Sequence, residues 1–126
     1  MGNLNLYRIF ADKSRILIGN KGKSGLVVQS GIATDELGKE FFLDLLREGQ
    51  LESLYDFENK KKYCDIDERM KFSLITLTGG QQSSTYPKFS FFLRDVCELQ
   101  EEGRIFSLNL DDLNLINPNT KNCPTF

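Results

Sequence analysis

Apolar residues recur along this chain in two rhythms, which divide it into elements. Over residues 4–17, "LNLYRIFADKSRIL", Leu6, Ile9, Phe10 and Leu17 fall on one side at helical spacing. Asn3 or Asn5 offers a cap at the start, and Gly19 with Gly22 offers a stop. The run Leu26-Val27-Val28 in "SGLVVQSGIA" is apolar without alternation, the pattern of a strand covered on both faces in a parallel sheet. Thr34 then caps a second helix, with Asp35 and Glu36 where the helix dipole favours negative charge. Its apolar stripe is Leu37, Phe41, Phe42, Leu45 and Leu46, closed by Arg47 and Gly49. Alternating segments at 51–57 and 70–78 predict two strands.

The composition shifts after that point. "TGGQQSSTYP", residues 78–87, reads as a polar, glycine-bearing linker. "KFSFFL" and "RIFSL" predict short strands with a helical turn, "DVCELQEE", between them. "NLDDLNLI" predicts a short capped helix that ends before Pro118, and the tail "NPNTKNCPTF" is irregular. Helix, buried strand, helix, strand, long loop, strand is half of an α/β domain.

Composition narrows the function more than the fold. A chain of 126 residues, 40% hydrophobic and 27% charged, fits one soluble globular domain. No apolar run approaches the roughly 20 residues of a membrane-spanning helix. The start "MGNLNLYRIF" lacks the basic and apolar regions of a secretory signal, so a cytoplasmic location is expected. The net charge of −2 argues against a free-standing nucleic-acid binder. With no histidine, Ser-His-Asp and Cys-His catalysis are excluded. Cys64, Cys97 and Cys123 form no CxxC pair, so reduced thiols are expected and no zinc site.

Two motifs fail on inspection. "GNKGKSG", residues 19–25, resembles a phosphate-binding loop, but Leu17 stands where that pattern needs its first glycine. It also leaves a helix and enters a strand, the reverse of the order that aims backbone N–H groups at a phosphate. A helix-stop turn is the better reading. "INPNT", residues 116–120, has Asn119 and Thr120 where an Asn-Pro-Pro-aromatic motif has proline and an aromatic, and Asn-Pro there reads as a turn. Asp65, Asp67 and Glu68 read as a solvated loop rather than a metal site, because six-coordinate oxygen sites draw on more than one short run.

The segment "ENKKKYCDIDER" between the two alternating strands is the unusual feature. A plain hairpin turns in two to five residues, and a longer connection is often functional. Residues 58–71 hold five basic and four acidic side chains, so Lys60, Lys61 and Lys62 read by charge alone as an exposed run. Tyr63, near its middle, reads by spacing alone as a lid on the sheet edge.

Taken together, "NLYRIFADKSRIL", "GKSGLVVQSGIATDELGKEFF", "LYDFENKKKY…KFSLITL" and "FSFFLRDVCELQ…FSLNLDDLNLINPNTKNCPTF" resemble large bacterial adenine-specific DNA methyltransferases. These are restriction-modification and phage-defence enzymes of the Asn-Pro-Pro-aromatic type. "SGIATD", "YDFEN" and "NPNTKNCP" are the specific parts, and the likeness covers nearly the whole chain. It implies that 1–79 is the C-terminal part of the catalytic domain, a partial Rossmann-like sheet of the last three strands, the seventh antiparallel and inserted between the other two. Residues 80–126 would be a linker, the start of a target-recognition region and a small mixed α/β extension. Gln29 departs from the family, which has proline there.

The resemblance also implies what these residues lack. The glycine-bearing strand that binds S-adenosylmethionine and the amine-polarising motif would both precede "NLYRIF". The expectation is a truncated or split piece, catalytically inert alone, with no catalytic residue, no metal and no cofactor of its own. In relatives an aromatic in the loop between the sixth and seventh strands stacks on the flipped adenine. Tyr63 falls at that position, and Lys60, Lys61 and Lys62 would contact DNA phosphates. DNA and a separate N-terminal methyltransferase half or restriction subunit are the implied partners, with no membrane. The strand near 24–29 would be an exposed edge and a route to self-association. The alternative is a non-catalytic α/β interaction module paired with a separate methyltransferase or restriction subunit.

Overall fold

The computed structural model describes residues 6–29, 39–63, 65–80, 86–116 and 118. Among the described residues, three α-helices and a five-stranded mixed sheet make an α/β fold: α1 (Leu6–Leu17), β1 (Lys23–Gln29), α2 (Lys39–Arg47), β2 (Leu51–Glu58), β3 (Lys71–Thr78), β4 (Lys88–Leu93), β5 (Phe106–Ser107) and α3 (Leu110–Ile116). The sheet order is β1-β3-β2-β4-β5. β3 lies between β1 and β2 and runs antiparallel to both, while β4 pairs parallel with β2 and β5 antiparallel with β4. The carboxyl ends of β1, β2 and β4 therefore lie along one edge of the sheet.

The main core sits between one sheet face and the helices. Phe41, Phe42 and Leu45 of α2 pack with Leu54, Ile75, Leu77, Phe89, Phe91 and, from α3, Leu113. The predicted stripe of α2 is thus the buried one from Phe41 onward, whereas Thr34–Leu37 lie outside the described residues, as do Asn3 and Asn5. Gly49 ends α2 at φ +65. Its N–H donates to Leu46 C=O and that of Gln50 to Leu45 C=O, which satisfies the last carbonyls in a Schellman turn. Opposite the core face, Phe57, Phe72 and Leu93 form a smaller cluster with Tyr55, Leu74 and Leu99 around it. The Phe57 and Phe72 rings stack 5.3 Å apart.

Two expectations are corrected. β1 is not covered on both faces: it is a terminal strand whose burial alternates, with Val28 buried and Val27 60% exposed. The physical reason is that α1 covers one face while β3 is its only described sheet neighbour. The stripe of α1 is also not its core face. Ala11 is buried and Ile18 packs on the core, whereas Ile9, Phe10 and Leu17 are exposed. Arg15 rotates the helix in this way, bonding Gln50 and lying 3.8 Å from Asp44 of α2.

The "GNKGKSG" segment is the turn from α1 into β1, as its order of elements required. Gly79 N–H donates to Gly22 C=O at 2.9 Å, and a Cβ on Gly79 would come within 2.5 Å of the Asn20 backbone. No side chain fits there. β4 and β5 continue the same sheet beyond this point, and Phe89 and Phe91 share the core with α2, so the sheet is unbroken across residues 79 and 80.

Candidate functional site

The loop that follows β2 leaves from a rigid base. Asn59 is fully buried. Its N–H donates to Met70 C=O at 3.3 Å, its Nδ2 to Ile66 C=O at 3.1 Å, and its C=O accepts from Lys62 N–H at 3.2 Å. One residue, through its backbone and its side chain, thus closes both ends of the excursion and opens the short 3-10 turn Asn59–Lys61. Lys62 sits in the left-handed region at φ 53, uncommon for a non-glycine residue, and turns the chain outward. Tyr63 comes next, 49% exposed, beyond the carboxyl end of β2.

The corner after β4 holds this loop from the side. Lys61 Nζ pairs with Asp95, and Tyr63 Oη donates to Asp95 Oδ1 at 3.5 Å. Arg94 Nε donates to Glu58 Oε2 at 2.9 Å, tying the ends of β2 and β4 together. Asp95 is itself fixed: it caps the turn Val96–Gln100, accepting from Cys97 N–H while Glu98 accepts from the N–H groups of Arg94 and Asp95 at 2.8 Å each. Arg104 Nη2 adds a bond to Glu98 at 2.7 Å.

Those donors favour the charged form of Glu98, the backbone bond from Arg94 first and Arg104 next, and hold its pKa below the ordinary 4.5. A depressed pKa stabilises the folded corner at pH above 4.5, and that contribution disappears as pH falls through the lowered value. Protection of the Arg94 and Asp95 amides, taken relative to their intrinsic exchange rates at each pH, should therefore fall in acid, and Glu98→Gln should remove that fall. Protection in the wild type that stays unchanged down to pH 2 would contradict it.

A second feature at this edge was not legible in the sequence. β2 and β4 slip in register between Tyr55 and Phe57, so Phe91 and Phe92 oppose Asp56 in a β-bulge. Phe92 takes φ 57, strained for an aromatic residue, and remains 42% exposed. Lys71 Nζ lies 4.0 Å from its ring centroid and 3.5 Å from the buried carboxylate of Asp56. Ser73 Oγ also donates to Asp56, at 3.1 Å. Only the mixture of Phe-Phe with buried Asp56 hinted at this, and neither has a distinctive spacing.

The four residues expected to act, Lys60, Lys61, Lys62 and Tyr63, are exposed on one short segment. Asp95 occupies Lys61, whereas Lys60 and Lys62 form no ion pair among the described residues. Asp67 does not join Asp65 and Glu68 around a cation. It binds Arg69 at 2.7 Å, which keeps its carboxyl below the usual range, and among the described residues no cluster of three or more metal-binding side chains occurs. An open cleft of about 400 Å³ lined by Glu52, Ser53, Tyr55, Tyr86 and Lys88 lies near the amino ends of β2 and β4, away from Tyr63. Among the described residues no helix is long and apolar enough to cross a membrane.

Because Tyr63 projects from a loop, Tyr63→Ala should change unfolding stability by less than about 1 kcal/mol. Urea denaturation measures this directly, and a loss above about 2 kcal/mol would make the ring a structural lid. No protein-family model, curated protein or solved structure matches this chain.

Proposed function

We infer that these residues form the target-base side of an adenine-specific DNA methyltransferase catalytic domain. The observation that carries this reading is the placement of β3, antiparallel and inserted between β1 and β2, together with a long loop that presents Tyr63 beyond β2. In open α/β sheets ligands bind outside the carboxyl ends of the parallel strands, and that is the edge from which this loop projects. There an exposed ring offers a stacking face to an extrahelical adenine, and the ammonium groups of Lys60 and Lys62 offer sequence-blind contacts to phosphates. Lys61 and Asp95 act as the brace that sets the loop.

In this reading the S-adenosylmethionine site and the amine-polarising motif come from another segment or chain, and methylation takes place in the cytoplasm. The test is to join residues 1–126 to the N-terminal half of an adenine methyltransferase and assay methyl transfer to duplex DNA. Methylated adenine from the joined protein, with none from either half alone, supports the reading. A folded joined protein that binds S-adenosylmethionine but methylates no adenine contradicts it. The second reading, a non-catalytic interaction module, is favoured by the exposed Phe10 and Leu17 of α1, which suit a protein surface better than a nucleic acid.

A further inference from the structure

We propose that two copies of this chain associate through β1, edge to edge and antiparallel, with Leu26 on the two-fold axis. Within Lys23–Gln29, β1 holds no proline, no bulge and no inward-pointing charge to blunt its edge. Its one charged residue, Lys23, stands at the end and is paired with Glu52.

The sequence "KSGLVVQ" is self-complementary in the antiparallel sense. Centred on Leu26, it sets Lys23 opposite Gln29 of the second copy, Ser24 opposite Val28, and Gly25 opposite Val27. A Cβ built on Gly25 would meet nothing within 4 Å. Each exposed Val27 therefore has an open space to fill beside the other copy's Gly25. A parallel pairing in register would instead place the two lysines side by side, at a Coulombic cost.

Helix α1 adds apolar side chains on the other face of the sheet, the face of Val28. Arg15 faces α2, and Phe10 and Leu17 stand roughly 140° and 160° around the helix from it, on the flank away from α2. Helix α1 packs on β1, and these two side chains are 65% and 71% exposed. In the antiparallel pair the two α1 helices lie on the same face of the joined sheet and their stripes meet across the axis. Two seven-residue strands alone bury little area. The stripe supplies the apolar contact that a stable interface needs. The described part of the C-terminal region, α3, packs on α2.

The rest of the sheet that the methyltransferase reading implies would join at this same edge, so the dimer is expected of residues 1–126 alone, and a monomer would overturn the dimer while leaving that reading standing. Sedimentation equilibrium in reducing buffer tests it, since the exposed Cys97 is then unable to cross-link copies. A dimer is expected. Val27→Lys and Phe10→Lys, both at exposed positions, should each weaken it roughly tenfold or more by placing an unpaired ammonium at the seam. Circular dichroism and urea unfolding confirm that the variants fold. A nitroxide at Lys23→Cys, with the native cysteines replaced by serine, reads the orientation. Antiparallel pairing separates the two labelled backbones by about 20 Å, six residues of strand. A monomer at high concentration, a dimer indifferent to both substitutions, or labels in contact would overturn the proposal.

Discussion

Phe89→Ala is expected to remove about 3–5 kcal/mol of folding stability, the largest single loss in this chain. Phe89 is fully buried and its ring meets those of Phe42, Phe91 and Phe106, with centroids 6.0–6.3 Å apart across that group. Truncation removes the buried ring and leaves a cavity that β4, held between β2 and β5, has little freedom to close. A domain of this size has about 5–15 kcal/mol in total, so the variant should be close to unfolding. Phe72→Ala should cost near the lower end of the same range, because its cluster with Phe57 and Leu93 is smaller. Urea denaturation followed by circular dichroism should show one transition shifted as a whole. Two separate transitions, with only one moved by Phe89→Ala, would mean that β4 and β5 do not share a core with α2.

That expectation rests on elements that were legible in the sequence. The α2 stripe follows from its helical period, because it packs on one core, and the spans of β2, β3 and β4 follow from apolar runs bounded by polar segments, because each contributes to clusters on both faces of the sheet. β1 misled for a physical reason: a continuous Leu-Val-Val run marks a doubly covered strand, but an edge strand shows the same run when one of its apolar residues is left exposed, as Val27 is. α1 misled because Ala11, the residue that touches the core, is small, whereas the large apolar residues face outward. Hydrophobic spacing reports which residues share a face and is silent on what that face meets.

The site divides in the same manner. The charged loop with one central aromatic was visible as an excursion too long for a turn, and Tyr63 with Lys60–Lys62 was visible inside it. Asn59, Asp95 and Glu98 were missed. Asp95 and Glu98 stand three apart in the local pattern of a capping box, a signal that the sequence carries and that apolar periodicity passes over. The buried Asn59 instead bonds Met70 and Ile66 across the loop and has no signature at such separations. The strain at Phe92 was hidden likewise, since a bulge depends on how two strands pair rather than on either alone.

The second large effect concerns turnover. If the Tyr63 ring stacks on the extruded adenine, its removal forfeits about 1–3 kcal/mol of base binding. In the protein formed by joining 1–126 to an adenine methyltransferase N-terminal half, Tyr63→Ala should lower methylation roughly five- to one-hundred-fold. Tyr63→Phe keeps the π face and loses only the 3.5 Å bond to Asp95, so it should retain most of the rate. Stability remains near wild type in both, which separates lost stacking from lost structure. The decisive measurement is therefore the methylation rate of these two variants side by side on the same duplex. A large loss in Tyr63→Ala with retention in Tyr63→Phe is the predicted result, and equal rates in the two would contradict a base-stacking role for this loop.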